Sequence, residues 1–196
     1  MAERKAAVER TTKETSIRVS LALDGSGAPS ITTGVGFFDH MLTHVAKHGM
    51  LDLEVEARGD LEVDAHHLVE DTGIVLGQAL REALGDKRGI VRYGHAVVPM
   101  DEALVEVALD ISGRPWVEVD VPMAHGKVGD FDTELLPEFA RALAVSAGLT
   151  LHIRKLAGDN CHHVLEAAFK ALGRALDMAA RLDPRRQDIP STKGAL

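Results

Sequence analysis

Two adjacent histidines, His66 and His67, stand shortly before Glu70. On a helix, Glu70 shares a face with His66 at a spacing of four and with His67 at a spacing of three. Imidazole and carboxylate together suit Mn²⁺, Fe²⁺ or Zn²⁺. A single copy of this pattern leaves an alternative open, in which Glu70 only stabilises the positive end of a helix.

The same pattern returns 96 residues later as His162, His163 and Glu166. Over the 15 positions that start at each first histidine, seven residues are identical. A second alignment, at an offset of 98, sets Glu138 opposite His40. The chain is therefore interpreted as a duplication of roughly 95 residues, too long for a solenoid repeat. Adjacent histidines leave one ring on each side of a helix, so the two rings could serve different ions.

Three other histidines, His40, His44 and His48, follow one another at every fourth position and share a helix face. His40 is a candidate third ligand. A solvated polar stripe is the simpler interpretation of His44 and His48, which are not expected to bind metal. Cys161 precedes His162 directly and is interpreted as a small packing residue rather than a ligand.

A separate group of basic and hydroxyl residues could hold an anion. Arg92 follows the segment KRGI, Arg114 lies in the predicted turn SGRP, and Ser191, Thr192 and Lys193 lie near the C-terminus. Arginine makes bidentate contacts to phosphate, and lysine adds a point charge. The C-terminal segment could equally be an ordinary disordered end, and charge alone leaves both interpretations open.

Hydrophobic periodicity predicts the elements that must position these residues. Helices are predicted at 37–48, 67–84, about 133–147 and about 162–182. Strands are predicted at 16–23, 51–57, 95–100, 103–112, 115–121 and 149–156. Gly49 and Gly85 are expected to end the first two helices, because glycine accepts the left-handed conformation that follows a helix.

This order predicts an α+β fold made by internal duplication of a ββαβα-type unit. Two four-stranded sheets are expected, each with two helices on one face. The first repeat half covers 1–92, and the second covers 93–196 with a C-terminal substrate-binding tail. The two halves are expected to share a core and to form a single compact catalytic unit.

Composition and charge narrow the classes of function. The formal net charge of -8 argues against nucleic-acid binding, which needs a basic face. No apolar run approaches the roughly 20 residues that span a membrane. The charged N-terminus does not resemble a secretory signal. One cysteine excludes an internal disulfide and fits a reducing compartment, so a cytoplasmic location is expected.

Several motifs, in their order and spacing, resemble the imidazoleglycerol-phosphate dehydratase family of histidine biosynthesis. These motifs are FFDHML, AHHLVEDTGIVLGQAL, SGRP, LHIRKLAGDNCHH, EAAFKALGRAL and IPSTKG. The resemblance runs from about Arg10 to the last residue, and the length of the chain favours the monofunctional form over one with a fused phosphatase. It implies elimination of water from D-erythro-imidazole glycerol phosphate, a small phosphorylated imidazole, to give imidazole acetol phosphate. It also implies two Mn²⁺ ions per active site and a homo-oligomer of 24 subunits with active sites between subunits.

Carried over position by position, the resemblance implies three sets of site residues. The metal ligands would be His40, His66, His67, Glu70, Glu138, His162, His163 and Glu166. The substrate-binding residues would be Glu14, His40, His66, Glu70, Arg92, Arg114, His162, Lys170, Ser191, Thr192 and Lys193. The catalytic residues would be Glu14, His67 and His163, with Glu14 favoured as the proton-transfer group. Glu138 departs partly from the family, because some members have histidine there, although a carboxylate also binds Mn²⁺.

Two other functions fit part of the pattern. A dinuclear metallohydrolase often has a bridging aspartate, for which Asp71 is available, although its repeat partner is Ala167. A metal-storage protein would have the ligands but no need of Arg92, Arg114 and Lys193. Release of phosphate from a phosphoester would favour the hydrolase. Failure of any phosphorylated imidazole to bind would favour the storage protein.

Overall fold

The structure, a computed structural model, describes residues 3–196. The first half runs β1 (Lys5–Thr11), β2 (Thr15–Ala22), β3 (Pro29–Thr32), α1 (Gly36–Gly49), β4 (Asp52–Gly59) and α2 (His66–Leu84). The second half runs β5 (Tyr93–Met100), β6 (Ala103–Asp110), β7 (Trp116–Asp120), β8 (Lys127–Val128), β9 (Phe131–Asp132), α3 (Leu135–Ala147), β10 (Thr150–Ala157) and α4 (Cys161–Ala180). Within 3–196, no helix combines the length and the apolar character needed to cross a membrane.

Each half forms a four-stranded sheet of the same topology. The strand orders are β1-β2-β4-β3 and β5-β6-β10-β7, and the short β8 and β9 form a separate hairpin. In both sheets the last strand in this order runs parallel to its neighbour, and the other pairs are antiparallel. The predicted α+β class and the internal duplication are confirmed. Leaving the β8–β9 hairpin aside, each repeat has the order βββαβα, one strand more than a ββαβα unit.

The four helices lie between the two sheets. Helices α1 and α2 pack against the first sheet, and α3 and α4 pack against the second. Helix α2 also packs along α3, and α1 along α4, so the two halves share one core. Because side chains alternate across a strand, Ile17, Val19 and Leu21 of β2 are buried while Arg18 is exposed. Each such buried side chain contributes about 1.5–3 kcal/mol relative to exposure.

Two equivalent glycines allow helices of different halves to approach closely. A Cβ atom at Gly77 would lie 2.5 Å from the carbonyl oxygen of Leu143, and one at Gly173 would lie 2.7 Å from that of Val45. The glycines are 96 residues apart and their partners are 98 apart, which are the two offsets of the sequence alignment. The duplication therefore extends to helix packing, and α4 meets α1 as α2 meets α3.

The end of α1 differs from the sequence prediction. Gly49 is the last helical residue, and Met50 instead adopts the left-handed conformation with φ of 53°. Gly49 is required inside the helix, because a Cβ atom there would lie 3.1 Å from the carbonyl oxygen of Gly173. Gly85 follows α2 with φ of 55°, as expected.

Strands β1 and β3 are not predicted by the periodicity of the sequence. Both lie at an edge of the first sheet, and neither has a fully buried residue. An edge strand has only one neighbour and needs little apolar surface, so its alternation is weak. The charged N-terminal segment, for which the sequence predicted no strand, thus contributes β1 to the sheet.

Candidate metal and substrate site

Three predicted ligands come together between α1 and α4. One ligand atom from each of His40, His162 and Glu166 lies within 4.8 Å of the others. The Glu166 Oε2 atom is 3.1 Å from His162 Nε2 and 3.4 Å from His40 Nε2. Glu166 is almost fully buried, whereas both histidines remain accessible. Two imidazoles and one carboxylate at this spacing fit a divalent transition-metal ion.

Glu166 has two further neighbours on the same helix faces. Lys170 Nζ lies 2.6 Å from Glu166 Oε1, and His44 Nε2 lies 3.3 Å from it. Burial alone would raise the pKa of Glu166, but the hydrogen bond and charge of Lys170 outweigh it and lower the pKa to about 2. Burial also lowers the pKa of His44 to about 4, so this imidazole is neutral at physiological pH.

The expectation that His44 belongs to a solvated stripe is wrong. Only 16% of its side chain is exposed, because α4 covers this part of α1. Its Nε2 atom lies 3.1 Å from the Nε2 atom of His40, and its ring stacks with His48 at a centroid distance of 5.6 Å. Sequence spacing places the three rings on one face, but it cannot show that another helix covers that face.

Asn160 fixes the start of α4 and thereby the direction of the histidine pair. Its side-chain oxygen accepts hydrogen bonds from the backbone N–H groups of His162 at 3.0 Å and His163 at 3.4 Å. This is an N-cap, which satisfies donors that a helix start leaves unpaired. An asparagine just before a predicted helix is the sequence signal that could have identified this role.

The equivalent residues His66, Glu70 and Glu138 are less closely gathered. Within residues 3–196, the group of His40, His162 and Glu166 is the only one with three ligand atoms at ion-binding spacing. The Glu138 carboxylate instead accepts hydrogen bonds from Arg141 at 3.0 and 3.3 Å. Helix α2 nevertheless packs on α3 as α4 packs on α1. By this equivalence, Glu138 on α3 corresponds to His40 on α1.

His67 and His163 engage partners away from these groups. Their rings are nearly perpendicular to those of His66 and His162, at 82° and 81°. His67 Nδ1 lies 3.0 Å from Asp60 Oδ2, and His163 Nδ1 lies 2.7 Å from Glu102 Oε2. These hydrogen bonds raise the pKa of each imidazole. The two histidines of each motif thus face different surroundings, as the sequence suggested.

Glu14 and Asp71 have different environments. Glu14 lies at the exposed turn between β1 and β2, and its negative charge adds to the effect of Asp60 on the pKa of His67. Asp71 is buried, accepts a hydrogen bond from Thr15 Oγ1 and forms an ion pair with Arg10. Asp71 therefore joins α2 to β1 and β2, and its carboxylate is occupied by these contacts rather than free to bridge metal ions.

The predicted anion-binding residues line one groove of about 790 Å³. Its lining includes Arg92, Arg114, Ser191, Thr192 and Lys193, together with Tyr93, Arg186 and Asp188, which sequence reasoning did not select. Arg92 donates to Asp110 through Nε at 2.7 Å and Nη2 at 3.0 Å, and through Nη1 to the Pro190 carbonyl at 2.7 Å. Arg92 thus holds the C-terminal tail in place through hydrogen bonds that occupy its guanidinium. Arg114 and Lys193 are therefore the better candidates in this groove for binding an anion.

A family model described as imidazoleglycerol-phosphate dehydratase matches residues 33–176. The chain belongs to this family. It is 61% identical over 196 residues to the imidazoleglycerol-phosphate dehydratase of Desulforamulus reducens, covering 100% of both chains, and 60% identical over 193 residues to that of Moorella thermoacetica, covering 98% of both.

Solved structures of family members have the same fold. The dehydratase of Staphylococcus aureus is 45% identical with a TM-score of 0.83, and the comparison covers 91% of this chain and 99% of the other. That of Pyrococcus furiosus, solved in complex with (S)-C348, is 43% identical with a TM-score of 0.84, covering 96% and 100%. The residues matched by the family model include both histidine–glutamate motifs, whereas Glu14 and the tail residues lie outside them.

Proposed function

We propose that the chain removes water from D-erythro-imidazole glycerol phosphate, giving imidazole acetol phosphate, with the aid of two Mn²⁺ ions per active site. As a member of its family it is a dehydratase, a hydro-lyase of histidine biosynthesis. The observation that supports the metal requirement best is the convergence of His40, His162 and Glu166. We place the reaction in the cytoplasm, where a biosynthetic enzyme with one unpaired cysteine would work.

The first ion would be held by His40, His162 and Glu166. The lowered pKa of Glu166 keeps its carboxylate ionised, and an ionised carboxylate is the form that binds metal. Mn²⁺ bound here would act as a Lewis acid that favours the anionic form of the substrate imidazole. His44 and Lys170 border the same carboxylate, so Lys170 can contact the substrate beside the ion.

The second ion would be held by His66, Glu70 and Glu138. Glu70 and Glu138 are both carboxylates and repel each other when ionised, so a shared cation would bring them together. Arg141 would then release Glu138, which it now holds through an exposed guanidinium. This set has one imidazole fewer than the first, and hard carboxylate oxygen favours Mn²⁺ over softer metals.

His67 and His163 would complete the sites of neighbouring copies in a homo-oligomer of 24 chains. Each faces away from the ligand set on its own helix face and meets its carboxylate through Nδ1. His163 Nε2 also lies 3.8 Å from Asp101 Oδ2, which is too far for a hydrogen bond. The segment before His67 also exposes Leu61 and Val63, with Val63 66% exposed. Exposed apolar residues beside a metal-ligating side chain suit a subunit interface, so the active site would lie between subunits.

The groove of Arg114, Ser191, Thr192 and Lys193 would bind the substrate phosphate. Arginine and lysine supply the charge, and the hydroxyl groups supply further donors. The substrate's phosphate would then fix the distance of its imidazole from the histidine motifs. A storage protein would have no use for such a groove, and the buried contacts of Asp71 speak against the hydrolase alternative.

Glu14 is proposed as the proton-transfer group. Dehydration requires loss of a hydroxyl and removal of a proton from the adjacent carbon, and an ionised carboxylate can accept that proton. Glu14 is exposed on a turn and lies close enough to His67 for its charge to act on that ring. His67 and His163 are the alternative proton carriers.

The test begins with protein from which a chelator has removed metal. Mn²⁺ is added in steps while the keto product is measured from imidazole glycerol phosphate, and native mass spectrometry records the assembly. We expect activity to return as two ions per chain bind, in an assembly of 24 chains. His162→Ala should bind one ion fewer, whereas His95→Ala, on the exposed face of β5, should bind both.

Three results would count against the proposal. Full turnover without metal would remove the role of Mn²⁺. Release of inorganic phosphate without keto product would indicate a hydrolase. Failure of the metal-loaded protein to bind the phosphorylated imidazole would indicate metal storage.

A further inference from the structure

Two carboxylates outside the histidine–glutamate motifs contact equivalent atoms of the duplicated histidines. Asp60, which follows the end of β4, meets Nδ1 of His67, and Glu102, in the turn between β5 and β6, meets Nδ1 of His163. Asp60 precedes its histidine by 7 residues and Glu102 precedes its own by 61. The same contact is therefore supplied by unrelated segments of the chain, so it was not simply copied with the repeat.

We propose that Asp60 and Glu102 are positioning residues that fix the tautomer and orientation of His67 and His163. A neutral imidazole carries one N–H, and a carboxylate acceptor at Nδ1 keeps that proton on Nδ1. The lone pair of Nε2 is then directed outward, ready for a divalent ion. This inference rests on the proposed function, in which His67 and His163 bind Mn²⁺.

The surroundings of Asp60 show that its carboxylate is directed at the ring. Only 19% of its side chain is exposed, and its second oxygen, Oδ1, is buried with no hydrogen-bond partner among residues 3–196. A carboxylate held against an imidazole in this way can serve a positioning role. Orientation of His67 is such a role, because metal-ligating histidines commonly bind a carboxylate through the nitrogen that does not contact the metal.

Glu102 is oriented by a second contact. Its Oε1 atom accepts the backbone N–H of Asn160 at 3.1 Å, while Oε2 meets His163. Asn160 in turn caps α4 by accepting the N–H groups of His162 and His163. Glu102 is therefore tied both to the start of α4 and to the ring it would position, which limits rotation of His163.

Metal affinity separates this role from an ordinary structural ion pair. Glu102 is about half exposed, and exposed ion pairs contribute little to stability. Loss of a carboxylate that orients a metal-ligating histidine usually weakens metal binding by about 10–100-fold. A positioning role therefore predicts a large effect on metal affinity at nearly unchanged stability, at least for Glu102.

The experiment compares Asp60→Ala and Glu102→Ala with Asp60→Asn and Glu102→Gln in the full chain. Mn²⁺ affinity is measured by calorimetric titration of metal-free protein. The tautomer of each ring is read from imidazole nitrogen shifts in histidine-labelled, metal-free protein. We expect the alanine variants to bind Mn²⁺ about 10–100-fold more weakly and to populate both tautomers. The amide variants keep an oxygen acceptor and should recover most of the affinity.

Glu106→Ala is the matched control. Glu106 Oε1 lies 3.0 Å from Nε2 of His95 on the exposed face of the second sheet, so this variant also removes a histidine–carboxylate contact. Its Mn²⁺ affinity should equal that of the unmodified chain. Circular dichroism of every variant checks the fold, and the amide variants serve where an alanine variant fails to fold.

The outcomes distinguish this inference from the proposed function. The positioning role would be overturned if Asp60→Ala and Glu102→Ala bound Mn²⁺ with unchanged affinity. It would also be overturned if each amide variant bound Mn²⁺ no more tightly than the folded alanine variant at the same position. If His67→Ala and His163→Ala still bound less Mn²⁺, the proposed function would survive that result. If those two histidine variants also bound Mn²⁺ normally, the ligand assignment itself would fail.

Discussion

Substituting alanine for Gly77 tests how closely α2 and α3 must approach. The added Cβ atom would lie 2.5 Å from the carbonyl oxygen of Leu143 and 2.7 Å from Cβ of Ser146. The first of these is backbone inside a helix and cannot rotate aside. An ordinary contact is about 3.5 Å, so the two helices would have to separate locally by roughly 1 Å.

The expected cost follows from two opposing effects. Overpacking costs about 1–3 kcal/mol, and a clash with helix backbone that cannot rotate aside belongs in the upper part of that range, at about 2–3 kcal/mol. Alanine in place of glycine inside a helix recovers about 1 kcal/mol. We therefore expect a net loss of about 1–2 kcal/mol in the free energy of unfolding, which lowers Tm by roughly 2–8 °C for a chain of this size.

The same displacement should affect one ion more than the other. Ligand distances in a metal site hold to within about 0.2 Å, so a shift of roughly 1 Å between α2 and α3 would disturb His66, Glu70 and Glu138. The set between α1 and α4 should remain intact. Titration of metal-free Gly77→Ala with Mn²⁺ should therefore show one tight ion per chain and one weakened ion.

Gly36→Ala provides the control for this prediction. Gly36 begins α1, and a Cβ atom there would meet nothing within 4 Å. Its Tm should equal or slightly exceed that of the unmodified chain, and its Mn²⁺ stoichiometry should be the same. The reasoning is refuted if Gly77→Ala unfolds at the same temperature as Gly36→Ala and binds both ions with unchanged affinity.

Three further predictions concern the catalytic turn, a buried ion pair and stability in acid. Glu14→Gln should retain Mn²⁺ and substrate but lose about 10²–10⁴-fold in turnover; near-normal turnover would exclude Glu14 as the proton carrier. Asp71→Ala should lose about 1–3 kcal/mol in denaturant unfolding because Arg10 is left without its partner, while metal stoichiometry stays the same; loss of an ion would restore Asp71 as a ligand. Hydrogen bonds from the backbone N–H groups of Ala28 and Ser26 lower the pKa of Asp52 below its ordinary 3.8. The ionised Asp52 therefore stabilises the fold above that pH, and this stabilisation disappears as the pH falls through the pKa of the folded state. Asp52→Asn should therefore unfold more readily than the unmodified chain at pH 7, and the difference in melting temperature should shrink in strong acid; a constant difference would contradict this.

Much of the fold is determined by local patterns in the sequence. Helical spacing is nearly correct for all four helices, because each buries an apolar face whose period is visible in a short window. The doubled motif likewise predicts the repeat, and the repeat proves to extend to the packing of Gly77 and Gly173. The edge strands β1 and β3 escape prediction because a half-exposed strand carries little periodic signal.

The sequence by itself determined the doubled histidine–glutamate motif and the family, because these depend on residue identity and spacing along the chain. Only the tertiary structure decided that α1 pairs with α4, which gathers His40 with His162 and Glu166 and covers His44. It alone also placed Glu102 on His163, across 61 residues of sequence. Such contacts depend on how distant segments pack to bury their apolar faces, and no local pattern carries that information.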